Sequence, residues 1–338
     1  MFSVDLTTDA ITMEAEYVGE TEYDYEVWGY LGDLYAGLTF INEEADDCIP
    51  EEPIEPENGV EWCCISTTLG GNIGLNFYVR LSADVVNDPD TYVQFTYADK
   101  VVKVPMSEAV LSEKKGAPAY RFTCDLTAKN MTDVVTAQVF TSNGAAGNSK
   151  SLDVATYCNW VIDNSTDPEA VALMKAMLNY GASAQVLFGH NTDKLANAGL
   201  AAEDQVLADV DASAYKHTII GSEEGIQIKS MTLLLDTNTD NRFYFVLNGE
   251  KAIDEYTFLI NGTEATPVAK NGKYYVEISA IAAHKLGQMN TVTVGGLSIE
   301  YAPLSYVNQV MNYSKDEATI NMAKALYAYA MAAEAYAN

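Results

Sequence analysis

The chain has 338 residues, 48% of them hydrophobic, which is room for two or three domains with cores of their own and too apolar for a disordered chain. Its 48 Asp and Glu outweigh 19 Lys and Arg, giving a formal charge of −29, and no Lys or Arg precedes Arg80. A chain so acidic repels nucleic acid and anionic membrane surfaces.

No stretch carries the roughly twenty apolar residues of a membrane span, and the start, MFSVDLTTDA, lacks the basic end and apolar run of a secretory signal. The expectation is a cytosolic protein or a monomeric fragment of a larger exported chain. The five cysteines, Cys48, Cys63, Cys64, Cys124 and Cys158, are odd in number and irregular in spacing. That argues against a disulfide framework or a zinc site and for reduced, buried thiols.

Residues 1–61 read as a β-rich acidic N-terminal region. Met13, Ala15 and Tyr17 alternate with Thr12, Glu14 and Glu16, and Tyr23, Tyr25 and Val27 with Asp24, Glu26 and Trp28, the period of half-buried strands. Residues 42–61, NEEADDCIPEEPIEPENGVE, form a linker stiffened by Pro50, Pro53 and Pro56.

A first module is expected over 62–195. Strands are predicted at 62–68, 73–81, 91–97, 100–104, 119–126 and 134–141, rich in Val, Tyr, Phe and Thr with turn residues between, the pattern of an antiparallel sandwich. A helical pair follows over 152–188. Asp167 caps its long helix and Pro168 takes the first position, where a missing N–H costs nothing. A polar, alanine-rich connection spans 191–214.

A second module, 196–338, repeats that order, with strands at 226–235, 242–248, 256–261, 274–278 and 291–294 and a helical pair over 303–337. RFYFV (242–246) matches LNFYV (75–79) in pattern. Slid by 149 positions, 157–188 onto 306–337, the helical segments agree at Tyr157/Tyr306, Asn159/Asn308, Ser165/Ser314, Asp167/Asp316, Lys175/Lys324 and Tyr180/Tyr329. In the second copy Ser314 and Glu317 have capping-box spacing. The fold class is therefore α+β, mainly β: two tandem antiparallel β-sandwich modules, each with a C-terminal helical hairpin, after a small β-rich region.

The stretches GNIGLNFYV (71–79), NMTDVVTAQVF (130–140), YCNWVIDNS (157–165) and ALMKAMLNYGASAQVLFGHNT (172–192) resemble a module recurring in exported and cell-surface proteins of anaerobic gut bacteria. Such modules resemble non-catalytic companions of polysaccharide-degrading systems, including starch- and fibre-binding assemblies. The resemblance covers 66–195, with 225–338 as a diverged partner. It implies an extracellular location and a sugar-polymer context, and carries over no site residue.

The residues themselves show no catalytic set. His190, His217 and His284 lack metal or nucleophile spacing. With so many carboxylates, some pair suited to glycoside hydrolysis is expected by chance. Asp236, Asn238 and Asp240 match the first three oxygen ligands of a calcium loop, but Asn241 stands where glycine belongs and Leu247 where the bidentate Glu belongs, so a hairpin turn is the alternative. No other cofactor is expected. Gly70, Gly71 and Gly74 join two strands and lack the helix start that a phosphate cradle needs. Lys175 and Lys324, equivalent in the two copies, either extend their heads to solvent or pair with an acid.

Aromatics are the remaining candidates, because sugar C–H faces stack on flat rings while neighbouring polar groups bind hydroxyls. Trp28 and Tyr30, with Asp24 and Glu26 on the same strand face, and Trp62 across the linker, form the candidate glycan platform. The alternative is that the tryptophans fill a core. The expected partners are a polysaccharide or other cell-surface components, and the competing role is a spacer or protein-adhesion module.

Overall fold

Period-two alternation of apolar residues sets most of the strands. The computed structural model describes residues 59–68, 71–114, 117–235 and 238–337, all within one compact unit, 42–338. The candidate platform residues Asp24, Glu26, Trp28 and Tyr30, like the rest of 1–58, lie outside the described residues.

The first half contains β1 (Val60–Thr68), β2 (Ile73–Leu81), a short α1 (Ala83–Asn87), β3 (Tyr92–Tyr97), β4 (Lys100–Pro105), β5 (Val110–Lys114), β6 (Ala117–Leu126), β7 (Val135–Thr141) and β8 (Gly144–Leu152), then α2 (Val154–Asn164) and α3 (Pro168–Phe188). The second contains β9 (Thr218–Ile220), β10 (Ile226–Leu235), β11 (Thr239–Leu247), β12 (Phe258–Ile260), β13 (Thr263–Ala265), β14 (Val268–Lys270), β15 (Lys273–Ile278), β16 (Asn290–Val294) and β17 (Leu297–Tyr301), then α4 (Pro303–Tyr313) and α5 (Glu317–Ala337). The protein is α+β and mainly β, with antiparallel sheets.

Two sheets of the first half run β1-β2-β6-β5 and β4-β3-β7-β8, and two of the second run β10-β11-β15-β14 and β13-β12-β16-β17-β9. Place for place the orders correspond, with β9 added at one edge. Leu75, Phe77 and Val79 of β2 face a core shared with Val93 and Phe95 of β3, and the Phe77 and Phe95 rings lie 5.3 Å apart. In the second half Phe243, Phe245 and Val276 meet Phe258, Val292 and Ile299 in the same way.

The equivalence of β2 and β11 differs by one residue from the one that sequence pattern suggests. A bulge at Cys63 pairs Trp62 with Val79 and Cys64 with Tyr78, and a matching bulge at Lys229 pairs Ile228 with Phe245 and Ser230 with Tyr244. Tyr78 therefore corresponds to Tyr244, not to Phe245. A slip of one exchanges core and outer face.

The long helices start alike. Asp167 accepts from the Glu169 N–H at 2.9 Å and Ser165 Oγ from the Asp167 N–H at 3.1 Å. In the second copy Asp316 accepts from the Thr319 N–H at 2.8 Å and Ser314 Oγ from the Asp316 N–H at 3.2 Å. Asp316 is thus the cap, correcting the Ser314–Glu317 box: a carboxylate beside the free N–H groups is the stronger acceptor. Gly189, at φ 61°, ends α3 in the left-handed turn that glycine adopts without strain.

The halves meet along α3 and α5, where Tyr180 and Tyr329 stack at 5.2 Å and 10°. Both are buried, which pushes both phenol pKa values up. Gly71, at φ 101°, donates no side chain to this junction because a Cβ there would stand 2.4 Å from the Ala280 oxygen; its own oxygen accepts from the Thr239 N–H at 2.8 Å. The connection between the halves crosses both helices: Lys175 pairs with Asp204 at 2.9 Å and Lys324 with Asp209 at 2.7 Å. The lysine pair is thereby explained as two clasps on one strap.

Candidate functional site

Trp62 does not serve as a platform. The bulge turns it inward, where it is 8% exposed, its indole N–H donates to the Asn148 oxygen at 2.8 Å, and its ring meets Phe77 edge-on. The core-filling alternative holds for it, since a ring enclosed on both faces has none left for a sugar. Trp160 is partly buried against the core beside Tyr157.

The calcium pattern also meets other uses. Asp236 lies outside the described residues, Asn238 is exposed, and Asp240 Oδ1 accepts from the Ala280 N–H at 2.9 Å. Among the described residues no group of three or more His, Cys, Asp or Glu is placed to hold a metal. No helix among them is long and apolar enough to cross a membrane.

Other chemistry-bearing groups are tied into the frame. His190 Nε2 lies 2.9 Å from Asp133 Oδ2, which also accepts from Asn130 at 2.6 Å, closing the loop after α3. His217 Nδ1 lies 3.2 Å from Gln309 Nε2. Burial, aided by Asp125, pushes the Cys124 thiol up to about 12, so no thiolate is available there near neutral pH. The cavity between Gly71, Ile73, Tyr180, Ile281 and Tyr329 measures about 20 Å³, space for one water rather than a substrate.

One open candidate is the outer face of the sheet β10-β11-β15-β14. Because Phe243, Phe245 and Val276 point into the core, alternation sends Tyr244 and Tyr275 out on the opposite face. They are direct cross-strand partners, 5.4 Å apart with planes inclined by 44°, and both are half-buried outside any core cluster. The next row holds Arg242 opposite Glu277, hydrogen-bonded through Arg242 Nε, with side chains 19% and 24% exposed. Arg242 also lies over the Tyr275 ring at 4.7 Å. Burial works against its charge, but bonds to Glu277 and Tyr244 outweigh it, and the guanidinium pKa stays above its ordinary value.

From this row the face runs on through Thr232 to Leu234, on the same side of β10. Leu234 is also one of the residues lining a groove of about 270 Å³, with Lys129, Phe188, Leu233 and Met322. From the Tyr pair to Leu234 is four residues of strand, about 13 Å. Two inclined rings beside a fixed donor and acceptor pair suit an extended polar ligand with apolar faces.

Sequence reading missed these residues. The signal was the alternation in NRFYFV and KYYVEI, which puts Tyr244 and Tyr275 opposite the buried residues, but the one-residue misalignment equated Tyr244 with the core residue Phe77. The chain matches no protein-family model and no curated protein.

Proposed function

We propose that this is a non-catalytic, extracellular polysaccharide-binding protein made of two tandem β-sandwich modules, 62–195 and 196–338, each closed by a helical hairpin, following an N-terminal region over 1–61. The glycan lies on the outer face of β10-β11-β15-β14. The observation that carries this reading is the half-exposed Tyr244–Tyr275 pair beside the Arg242–Glu277 pair. The exposed parts of the two rings can meet sugar C–H groups, a contact worth about 1 kcal/mol per ring, and Arg242 and Glu277 supply a donor and an acceptor for hydroxyls. The resemblance of 66–195 to surface modules of gut anaerobes supports export and a sugar-polymer setting.

The test is retention on insoluble starch, cellulose and mucin. Wild-type protein is expected to be held by at least one of them, and Tyr244→Ala/Tyr275→Ala to lose about tenfold or more in affinity while still unfolding cooperatively in urea from a folded baseline, two ring contacts being worth over 1.4 kcal/mol. Retention that survives the double change would overturn the placement.

A rigid spacer is the second reading, favoured by one observation: stacking of Tyr180 on Tyr329 and the strap across both helices join the halves tightly. Failure of every polymer to retain the protein would leave this reading standing.

A further inference from the structure

We propose that the glycan taken by this face is anionic, a carboxylated or sulfated polymer; this rests on the polysaccharide reading above and narrows it. The register places Lys270 directly opposite Lys273, and Lys273 two residues from Tyr275 on the same face. Lys270 and Lys273 thus lie on one side of the tyrosine row and Arg242, paired with Glu277, on the other. Lys129, whose ammonium lies 5.5 Å from the Phe188 ring centre, lines the groove that Leu234 also lines.

Against them the same face carries Glu277, engaged by Arg242, and Asp240, engaged by the Ala280 N–H. Across the chain acids outnumber bases by 48 to 19, yet on this face the ratio inverts. A neutral glycan gives no use for such a concentration. An acidic one does: its rings stack on Tyr244 and Tyr275 while its carboxylates or sulfates reach Lys270 and Lys273, which are exposed and half-exposed. The acidic remainder of the surface repels a polyanion that approaches elsewhere, so binding is confined to this face.

Affinity electrophoresis tests this with matched polymers in the gel: carboxymethylcellulose against hydroxyethylcellulose, and dextran sulfate against dextran. The charged member of a pair is expected to retard wild-type protein more strongly. Lys270→Gln/Lys273→Gln should weaken that retardation about fivefold and leave any retardation by the neutral polymer unchanged. About 1 M salt, where the screening length falls to about 3 Å, should have the same effect as the substitutions. Equal retardation by charged and neutral polymers, or by neutral ones alone, overturns the anionic assignment and leaves the polysaccharide reading intact. Retardation by none of the four overturns both. Equal retardation by double-stranded DNA would reassign the face as a general polyanion site, which also overturns the proposal.

Discussion

Two equivalent sheet faces in this molecule have opposite fates. In the first half the row Cys64–Tyr78–Arg121 carries a tyrosine with no exposed surface, with the Lys114 ammonium 4.5 Å above its ring and Cys63, Cys64 and Ala119 packed around it. In the second half the corresponding row, Ser230–Tyr244–Tyr275, is half-open. The adjoining rows differ in kind as well. Buried Asn76 is bound by neutral partners, Thr123 Oγ1 at 2.7 Å and Ser66 Oγ at 3.4 Å, whereas the open row uses the ions Arg242 and Glu277. An amide with hydrogen-bonding neighbours avoids the desolvation cost of a buried ion, although the covered face does hold one buried cation, Lys114, against the Tyr78 ring. One topology therefore yields a covered face in the first half and a half-open one in the second.

The sharpest contrast is in stability. Tyr78→Ala removes a fully buried ring and is expected to cost about 3–4 kcal/mol, read as a lowered urea midpoint with unchanged slope. Tyr244→Ala, at the equivalent place, should cost no more than about 1 kcal/mol. Equal losses at the two sites would break the comparison at its root.

Reactivity gives the next largest difference. Cys63, the bulge residue of the covered face, is 4% exposed, and its counterpart Lys229 is exposed. A Lys229→Cys thiol should react with a disulfide reagent about a hundredfold faster than Cys63 in the native protein, a ratio equal to about 2.7 kcal/mol. Peptide mapping after a timed pulse distinguishes the two thiols. Comparable rates would show that the first face opens readily and is not a closed structural layer.

The extent to which sequence revealed all this follows from what each signal can carry. Ile73–Leu81 and Ile226–Leu235 were legible to the residue because alternating large apolar groups between turns leave little choice. The helix start at Asp167–Pro168 was equally plain. β8 (GAAGNSKSL) escaped because small residues carry no β signal, and β13 and β14, three residues each, are too short to show a period. The proposed binding face was hidden for another reason. Alternation says that Tyr78 and Tyr244 point away from the core, but not that one is then covered and the other left open; that depends on groups distant in sequence, such as Lys114 over Tyr78. The bulges that fix the alignment of the two halves are likewise invisible in a pattern of apolar residues.

A smaller effect concerns the ion pair of the open row. Arg242→Gln should lower stability by about 1 kcal/mol, since the pair is only partly exposed and Glu277 loses its partner. Glu277→Gln should cost about the same, and the double change less than the sum, because the two residues act as one contact. Additive losses in urea denaturation would mean that Arg242 is held chiefly by its place over the Tyr275 ring.

The faintest difference lies at the helices. Asp316, the cap of α5, has its pKa lowered by bonds from the Thr319 hydroxyl and N–H, and Asp209 has its pKa lowered by Lys324. A carboxyl whose folded pKa lies below its unfolded one stabilises the fold above the unfolded value, here near the ordinary 3.8, and loses that contribution as pH falls through the folded value. Both groups are solvent-exposed, so the effect is small and shrinks with added salt. Wild-type protein should unfold at higher urea than Asp209→Asn/Asp316→Asn at pH 5, and the gap should narrow at pH 3 and below. The subtraction matters because acid also relieves the repulsion of a strongly negative chain, which shifts both proteins together. A gap of constant width from pH 5 to pH 2 would mean that neither carboxylate holds α5 through its charge, and that shape and packing alone, with Tyr329 on Tyr180, keep the second half against the first.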